Sequence, residues 1–154
     1  MELRYWDSDC FLGWLAEEED KVDECRAVLQ EAGAGRIQLI TSALTLAEVI
    51  KLKKGRAPIP ATDAQKVKAF FKQDYIAVRG VDRYLAEEAR QLVWDNTALD
   101  PKDAIHVATA IRLRVAVLNT FDGPLIGLSG NLGDPPLSIE RPRVMQTKLG
   151  LEPS

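Results

Sequence analysis

The sequence contains little cysteine and almost no histidine. Among 154 residues there are two cysteines, Cys10 and Cys25, and a single histidine, His106. The cysteines lack the spacing of metal ligands and have no paired histidine, which argues against a zinc site. Two cysteines in a chain of this length also argue against a disulfide scaffold. We therefore expect a reducing, cytoplasmic location.

Long apolar runs and an excess of positive charge are also absent. No apolar run approaches the roughly 18 residues of a membrane helix, so we expect no membrane partner. The segment Met1–Arg4 does not have the basic-then-apolar build of a secretion signal. A net charge of −3 argues against a protein that binds nucleic acid by bulk charge alone. A nuclease is still allowed, because acids that bind metal would add to the negative charge.

The hydrophobic share of 46% is enough for one well-formed core. We predict one domain over residues 1–142 and a peripheral C-terminal tail over residues 143–154. Apolar strand patterns alternate with helical patterns, which predicts an α/β fold on a mostly parallel sheet. The predicted strands are Leu3–Trp6, Ile37–Thr41, Tyr75–Val78, Val115–Leu118 and Leu137–Glu140. The predicted helices cover residues 10–15, 20–32, 46 to about 55, 63–71, 82 to about 93 and 101 to about 113, and residues 95–99 are predicted to be a loop.

Four acids stand where such a fold turns its chain toward one edge of the sheet. Asp7 and Asp122 follow predicted strands, and Glu48 and Asp103 are expected in the first turns of helices. In open parallel sheets these positions meet at the carboxyl ends of the strands, where ligands bind. Four carboxylates gathered there cannot all stay ionised without a cation. The pattern favours a hard divalent metal and phosphate chemistry.

Each acid also has a purely structural explanation. Asp7 fits a helix cap, and the segment Thr45–Glu48 fits a capping box. Asp103 lies in the first turn after the N-cap candidate Asp100, and Asp122 precedes glycine in a turn dipeptide. These explanations treat the positions one by one. Their joint order favours a shared site.

The segments around the four acids resemble the PIN-domain family, which includes the VapC ribonuclease toxins of bacterial toxin–antitoxin pairs. The resemblance extends from Leu3 to about Pro142. It implies a three-layer α/β/α sandwich and a metal-dependent endoribonuclease that leaves a 5′-phosphate and a 3′-hydroxyl. The matching segments are YWDSD at 5–9, TSALTLAEV at 41–49, LDPKDAIHVATA at 99–110 and LNTFD at 118–122.

The resemblance also implies roles for individual residues. Mg²⁺ or Mn²⁺ is the expected cofactor, with one or two ions left open. RNA is the expected substrate, and a homodimer and an antitoxin protein are the expected partners, as for the toxin of a type II pair. Many family members carry Asn or Ser where this chain has Asp9, which either adds a ligand or caps a helix. The implied catalytic and metal-binding residues are Asp7, Glu48, Asp103 and Asp122, with Ser8, Asp9 and Thr120 as a second tier.

Several other residues have both a functional and a structural interpretation. His106 lies one turn after Asp103, so the two can share a helix face, although a lone histidine is usually a packing or surface residue. Basic residues either hold phosphates or complete solvated helix ends. Tryptophans either stack on bases or belong to a core or interface, and the latter is favoured. The basic residues are Lys51, Lys53, Lys54, Arg56, Arg112 and Arg114, and the tryptophans are Trp6, Trp14 and Trp94.

Two other functions fit part of the sequence. Asp7 and Asp9 imitate the Asp-x-Asp motif of haloacid-dehalogenase phosphatases, with Asp7 as nucleophile and Asp9 as acid. That family also needs a later paired-Asp metal motif, and Asp134 is followed by prolines instead. A degenerate domain that binds RNA or protein without cutting is the other alternative. The presence of all four acids makes it the weaker one.

Overall fold

A five-stranded sheet forms the middle of the molecule in the computed structural model, which describes residues 1–55 and 57–144. Every pairing within this sheet is parallel, and the strand order is β3-β2-β1-β4-β5. The predicted α/β class with a mostly parallel sheet is therefore confirmed. The strands are β1 Glu2–Trp6, β2 Ile37–Ser42, β3 Ile76–Arg79, β4 Val117–Asn119 and β5 Ile139–Glu140.

Helices cover both faces of this sheet, as an all-parallel sheet requires. One core lies against α1, α2 and α4 and includes Trp6, Phe11 and Phe70. The other lies against α5, α6 and α7 and includes Tyr5 and Leu118. The three-layer α/β/α sandwich is thus confirmed. The helices are α1 Ser8–Leu15, α2 Val22–Gly33, α3 Ala43–Glu48, α4 Ala61–Phe70, α5 Arg83–Asp95, α6 Pro101–Arg112 and α7 Gly123–Ile126.

Local capping explains where the helices near the sheet edge begin. Asp82 and Asp100 act as N-caps, since their carboxylates accept hydrogen bonds from the backbone N–H groups of Leu85 and Asp103, each at 2.8 Å. The sequence predicted a turn at Asp122–Gly123, and the structure has the short helix α7 there. The carboxylate of Asp122 accepts the N–H of Leu125 at 3.1 Å, which stabilises that turn.

The helix after β2 is shorter than predicted. It begins at Ala43, with Ser42 as its N-cap, and ends at Glu48 instead of continuing to about Gly55. The β-branched pair Val49 and Ile50 favours this end, because such side chains lose rotamer freedom in a helix. Burial of Val49 in the α1/α2 core fixes the departure from helical backbone. Glu48 is consequently the last helical residue, so its predicted place in a first turn and in a capping box is wrong.

The C-terminal boundary of the domain stays a prediction. The backbone carbonyl of Arg143 accepts a hydrogen bond from the guanidinium of Arg4 at 2.8 Å, and Val144 packs against the α1/α2 core. Residues 145–154, most of the predicted tail, lie outside the described residues. None of the helices in residues 1–55 and 57–144 is long and apolar enough to cross a membrane.

Candidate active site

Asp7 and Asp122 lie at the same edge of the sheet because they follow neighbouring parallel strands. Trp6 at the end of β1 is paired with Asn119 at the end of β4. The N–H of Asp7 donates to the carbonyl of Asn119 at 3.4 Å, which continues this pairing past the strand. Asp122 follows three residues after Asn119. The sheet topology therefore brings the first and last predicted acids to one place.

The carboxylate of Asp7 is buried without full hydrogen bonding. The residue is 5% exposed, and its Oδ1 has no hydrogen-bond partner among residues 1–55 and 57–144. Asp7 occupies the N-cap position of α1, as the structural explanation expected, but its side chain makes no cap hydrogen bond, so capping does not account for the buried carboxylate. Burial, together with the neighbouring carboxyl of Asp9, raises the pKa of Asp7 well above its ordinary value. Such a group fits a site for a cation.

Asp9 braces the loop that carries Asp122. Its carboxylate accepts hydrogen bonds from the N–H of Phe121, at 3.1 and 3.2 Å, and from the hydroxyl of Thr120 at 3.2 Å. The oxygen of Thr120 in turn accepts the N–H of Asp122 at 3.1 Å. Asp9 is the second residue of α1 rather than its cap. Its two carboxylate oxygens are thus bonded within the protein, to the connection between β4 and α7.

Glu48 is held by the histidine. Its Oε1 lies 2.7 Å from Nε2 of His106, a residue of α6 that is 1% exposed. This hydrogen bond is the main reason that the pKa of Glu48 is lowered, and the Ser8 hydroxyl contributes in the same direction. Glu48 is therefore an ionised, oriented carboxylate. The sequence suggested that His106 could share a face with Asp103 and gave no sign of its contact with Glu48.

Asp103 completes the group from the first turn of α6. Its pKa is raised to about 6, first by burial and then by the negative charges of Asp100, Asp122 and, to a smaller extent, Glu48. The sensitivity to Asp122 and Glu48 places these three carboxylates within electrostatic reach of one another. Asp7 is linked to them through Ser8, its neighbour in the chain, whose hydroxyl acts on Glu48, and through Thr120. The four predicted acids thus lie at one edge of the sheet, but no three of them offer ligand atoms within 4.8 Å of one another in the described residues.

The convergence leaves space between the acids. The tightest group of candidate ligand atoms in the described part of the chain belongs to Asp7, Asp9 and Cys10, mutually within 4.8 Å. Burial raises the pKa of the Cys10 thiol, which donates to the carbonyl of Asn119 at 3.3 Å, and a protonated thiol is a poor ligand for a hard cation. Asp7 is consequently the member of this group with an oxygen available for a metal.

A family model agrees with this geometry. The model described as the PIN domain matches residues 4–126, most of the chain. The chain belongs to the PIN-domain family. Membership replaces the haloacid-dehalogenase alternative, and the bonding of Asp9 to the Thr120–Phe121 backbone and hydroxyl also argues against a general acid there.

Two solved structures share the fold of this PIN domain. A toxin–antitoxin complex from Klebsiella pneumoniae has 20% identity and a TM-score of 0.57 over 82% of this chain and 93% of that one. VapC20 of Mycobacterium tuberculosis, titled a sarcin-ricin loop cleaving toxin, has 16% identity and a TM-score of 0.61 over 78% of this chain and 90% of that one. A search of curated proteins found no significant match. At these identities the likeness shows the fold.

The basic residues of the PIN domain lie elsewhere than predicted. Lys51, Lys53 and Lys54 follow the end of α3 and are not on its later turns, since Val49 and Ile50 end the helix; Lys51 donates to the carbonyl of Gly55. Arg56 lies outside the described residues. The guanidinium of Arg112 is bonded to Glu88 at 2.5 Å and to Asp82 at 3.4 Å, so it fits the structural interpretation better than phosphate binding.

A lysine that the sequence did not single out is closer to the acids. Lys102 is exposed on the first turn of α6, and its charge helps to lower the pKa of Glu48. Its position beside Asp103 was the available signal. Lys102 is therefore the better candidate for a phosphate contact near the site.

The tryptophans differ in their environments. Trp6 is fully buried, and its ring N–H donates to the side-chain oxygen of Asn119 at 3.1 Å. Trp14 is half-buried beside the α1/α2 core. Trp94 is 64% exposed, with the guanidinium of Arg90 4.9 Å from its ring centre. The core prediction is confirmed for Trp6 and wrong for Trp94, and the interface alternative stays a prediction.

The donor set suits a hard divalent cation. Carboxylate oxygens are the ligands that Mg²⁺ and Mn²⁺ prefer in proteins. The buried, partnerless Oδ1 of Asp7 and the raised pKa of both Asp7 and Asp103 describe negative charge that the protein alone does not neutralise. The assignment of Asp7, Glu48, Asp103 and Asp122 as metal ligands and catalytic groups stays a prediction.

Proposed function

We propose that this PIN domain is a metal-dependent endoribonuclease. The observation that carries the proposal is the buried Oδ1 of Asp7, which has no hydrogen-bond partner in the described residues and belongs to a residue at the same sheet edge as Asp122. A carboxylate in this state costs folding free energy unless a cation binds it. A buried carboxylate of this kind beside other acids is consistent with a catalytic use for the ion.

The pKa values and hydrogen bonds of the acids suggest their roles in the reaction. Asp7 and Asp122 would hold Mg²⁺ or Mn²⁺ together with an oxygen of Asp103 or Glu48. When bound, the ion would neutralise charge on the phosphodiester and lower the pKa of water. Either Glu48 or Asp103 could activate the attacking water, and Asp103 has the pKa nearer neutrality, which suits proton transfer. Glu48, ionised and held by His106, suits the orientation of that water for in-line attack on phosphorus.

The proteins that share the fold support a proposal for the biological role. One neighbour is a toxin–antitoxin complex, and the other is a toxin that cleaves the sarcin-ricin loop. We infer that this chain is the toxin of a type II pair, that it acts in the cytoplasm as a homodimer, and that an antitoxin protein inhibits it. The choice of RNA depends on loops, and at such low identity neither neighbour indicates which RNA this chain cuts.

Cleavage of a defined RNA by the purified protein tests the enzyme proposal. We expect end-labelled RNA to be cut in Mg²⁺ or Mn²⁺ and to remain intact in EDTA, with 5′-phosphate and 3′-hydroxyl ends. The Asp7→Asn variant should lose at least about 100-fold in rate, the order of a lost catalytic group. Asp74→Asn makes the same charge change in the exposed loop before β3, at the opposite end of the strands, and should cut normally. Binding of RNA without any cleavage would support the non-catalytic alternative.

Expression in bacteria tests the toxin proposal separately. Wild-type protein should arrest growth, and Asp7→Ala should not, at equal protein levels. Mapping of the RNA ends that appear on induction would identify the target. Normal growth with an enzyme that cuts RNA in vitro would leave a nuclease that is not a toxin.

A further inference from the structure

We propose that His106 is a positioning residue that, with Tyr5, fixes the orientation of the Glu48 carboxylate. This inference rests on the proposed function, since it assigns how one acid of the site is held. A chain of hydrogen bonds carries it. The N–H of Ser42 donates to Oη of Tyr5 at 3.1 Å, Oη lies 2.5 Å from Nδ1 of His106, and Nε2 of His106 lies 2.7 Å from Oε1 of Glu48.

The hydrogen-bond inventory assigns each proton in this chain. The oxygen of Tyr5 already accepts the N–H of Ser42, so its own proton is directed to Nδ1 of His106. Burial raises the pKa of Tyr5, so the phenol keeps that proton at neutral pH. Nδ1 is then an acceptor, and the imidazole carries its proton on Nε2. That proton is donated to the carboxylate of Glu48, so the histidine can hold the carboxylate in one orientation.

The neighbouring hydroxyls of Thr41 and Thr45 do not compete with His106 for the proton of Tyr5. The hydroxyl of Thr41 lies 2.7 Å from the carbonyl of Trp6 and donates to it, and it also lies 2.7 Å from the hydroxyl of Thr45. The proton of Thr41 is therefore used by Trp6, and that of Thr45 can be used by Thr41. The Ser42 N–H donates to Tyr5, and the hydroxyls of Thr41 and Thr45 also act on its oxygen as donors do, by lowering its pKa. His106 is left as the acceptor of the Tyr5 proton. The chain has a single direction from β2 to the site.

The position of Glu48 in the fold explains why such support is needed. Glu48 is the last residue of the six-residue α3, and the backbone leaves helical geometry at Val49. A long side chain at a frayed helix end would sample several rotamers. His106 lies on α6, one turn after Asp103, and is buried beneath the site. The bond from His106 therefore fixes Glu48 relative to the helix that carries another acid of the site.

Kinetics of matched variants test the positioning role. His106→Leu removes both ring contacts at similar size, and we expect kcat to fall about 10- to 100-fold, as for other groups that orient a functional ligand, with little change in KM. His106→Gln retains an N–H donor near the position of Nε2 and should recover most of that loss. Tyr5→Phe keeps the donor to Glu48 and frees its tautomer, so a smaller loss is expected.

A double-mutant comparison separates positioning from general structural damage. If His106 acts through Glu48, His106→Leu should cause no further loss of kcat in a Glu48→Ala background. A further loss of the same size as in wild type would overturn the proposal, as would a Gln variant no better than Leu. Thermal unfolding of each variant shows whether it folds. If His106→Leu does not, the comparison of Tyr5→Phe and His106→Gln decides the question.

Nitrogen-15 NMR of the imidazole gives a readout that needs no activity. His106 is the single histidine of the chain, so the spectrum of full-length protein with a histidine-free tag is unambiguous. We expect a protonated Nε2 and an unprotonated Nδ1 at neutral pH, with the preference weakened in Tyr5→Phe. The opposite tautomer would overturn the assignment. If wild-type protein cuts no RNA, the nuclease proposal fails, while the NMR result still supports or overturns the hydrogen-bonded chain.

Discussion

At the scale of single residues, Asp7 shows a conflict between folding and function. A carboxylate that is 5% exposed, with one oxygen unbonded in the described residues, destabilises the metal-free fold. Replacement by a neutral amide removes the buried charge at nearly the same volume. The same replacement removes the oxygen anion that a cation would need. Stability without metal and response to metal should therefore change in opposite directions.

We predict that Asp7→Asn raises the stability of the metal-free protein and abolishes its response to metal. In EDTA the gain should be about 1 to 3 kcal/mol, the order of the cost of a buried group left without a hydrogen-bond partner. Wild-type protein should melt at a higher temperature when Mg²⁺ or Mn²⁺ is added. Differential scanning calorimetry of both proteins, with and without metal, measures both effects. Equal metal-induced shifts in the two proteins would remove Asp7 from the list of ligands.

Asp103 predicts how the stability of the metal-free protein depends on pH. Its folded pKa of about 6 lies above the ordinary value of 3.8. The folded state therefore binds the proton more tightly, and this contribution to stability is present below about pH 4 and is lost as the pH rises through 6. Glu48, with a lowered pKa, contributes in the opposite sense: its stabilisation is lost as the pH falls.

We predict that Asp103→Asn flattens the pH dependence of stability between about pH 4 and 7. The wild-type loss over this range from Asp103 should be about 1 to 2 kcal/mol, because solvent screens part of a half-buried charge. Urea unfolding in EDTA at several pH values, taken as the difference between the two proteins, isolates this residue from other titrating groups. A constant difference across the range would mean that the Asp103 carboxyl titrates normally in the folded protein.

At the scale of secondary-structure elements, Asp9 joins α1 to the connection between β4 and α7. Its carboxylate accepts hydrogen bonds from the N–H of Phe121 and the hydroxyl of Thr120. The oxygen of Thr120 in turn accepts a hydrogen bond from the N–H of Asp122. Because the Asp122 side chain also caps α7, the position of this acid depends on two hydrogen-bonded turns. Asp9 therefore acts on the site through backbone placement.

We predict that Asp9→Ala destabilises the protein by about 1 to 3 kcal/mol, because a buried N–H loses its acceptor. Nuclease activity should fall with it as Asp122 shifts. Asp9→Asn keeps an acceptor for Phe121 and should retain most of the stability and activity. Urea midpoints and cleavage rates measure both. An Asn variant that folds well but loses both cleavage and the metal-induced rise in melting temperature would make Asp9 a ligand instead.

Element boundaries show what local sequence could and could not predict. The N-caps Asp82 and Asp100 are short-range signals, and both helices begin where these residues indicated. The end of α3 depends on burial of Val49 in a core built from distant helices, which local periodicity does not contain. The predicted capping box at Thr45–Glu48 failed because Ser42, and not Thr45, is the N-cap of α3.

At the scale of the whole molecule, topology made the acids predictable as a group. Alternating strands and helices imply parallel pairing, and parallel pairing places strand-end residues at one edge. This is why Asp7 and Asp122, 115 positions apart in number, were expected together. The contact between Glu48 and His106 could not be predicted this way, because it depends on how α6 packs over the sheet. Strand order can be predicted from the alternation of strands and helices, whereas no short sequence pattern predicts which side chains pack together.

The net charge of −3 makes a last prediction about RNA binding by the whole protein. A chain without a basic excess neutralises few phosphates, so the affinity of the uncleaving Asp7→Asn variant should depend weakly on salt. Each phosphate contact on single-stranded RNA contributes about 0.7 to the slope of log K against log salt concentration, and we expect a total slope below about 2. Lys102→Ala should reduce the slope by about 0.7, since the charge of this exposed lysine is close enough to act on Glu48. Lys72→Ala, an equal charge change in the loop before β3, should leave it unchanged. Fluorescence anisotropy over a range of KCl concentrations measures all three, and equal slopes for both lysine variants would place the RNA backbone away from the first turn of α6.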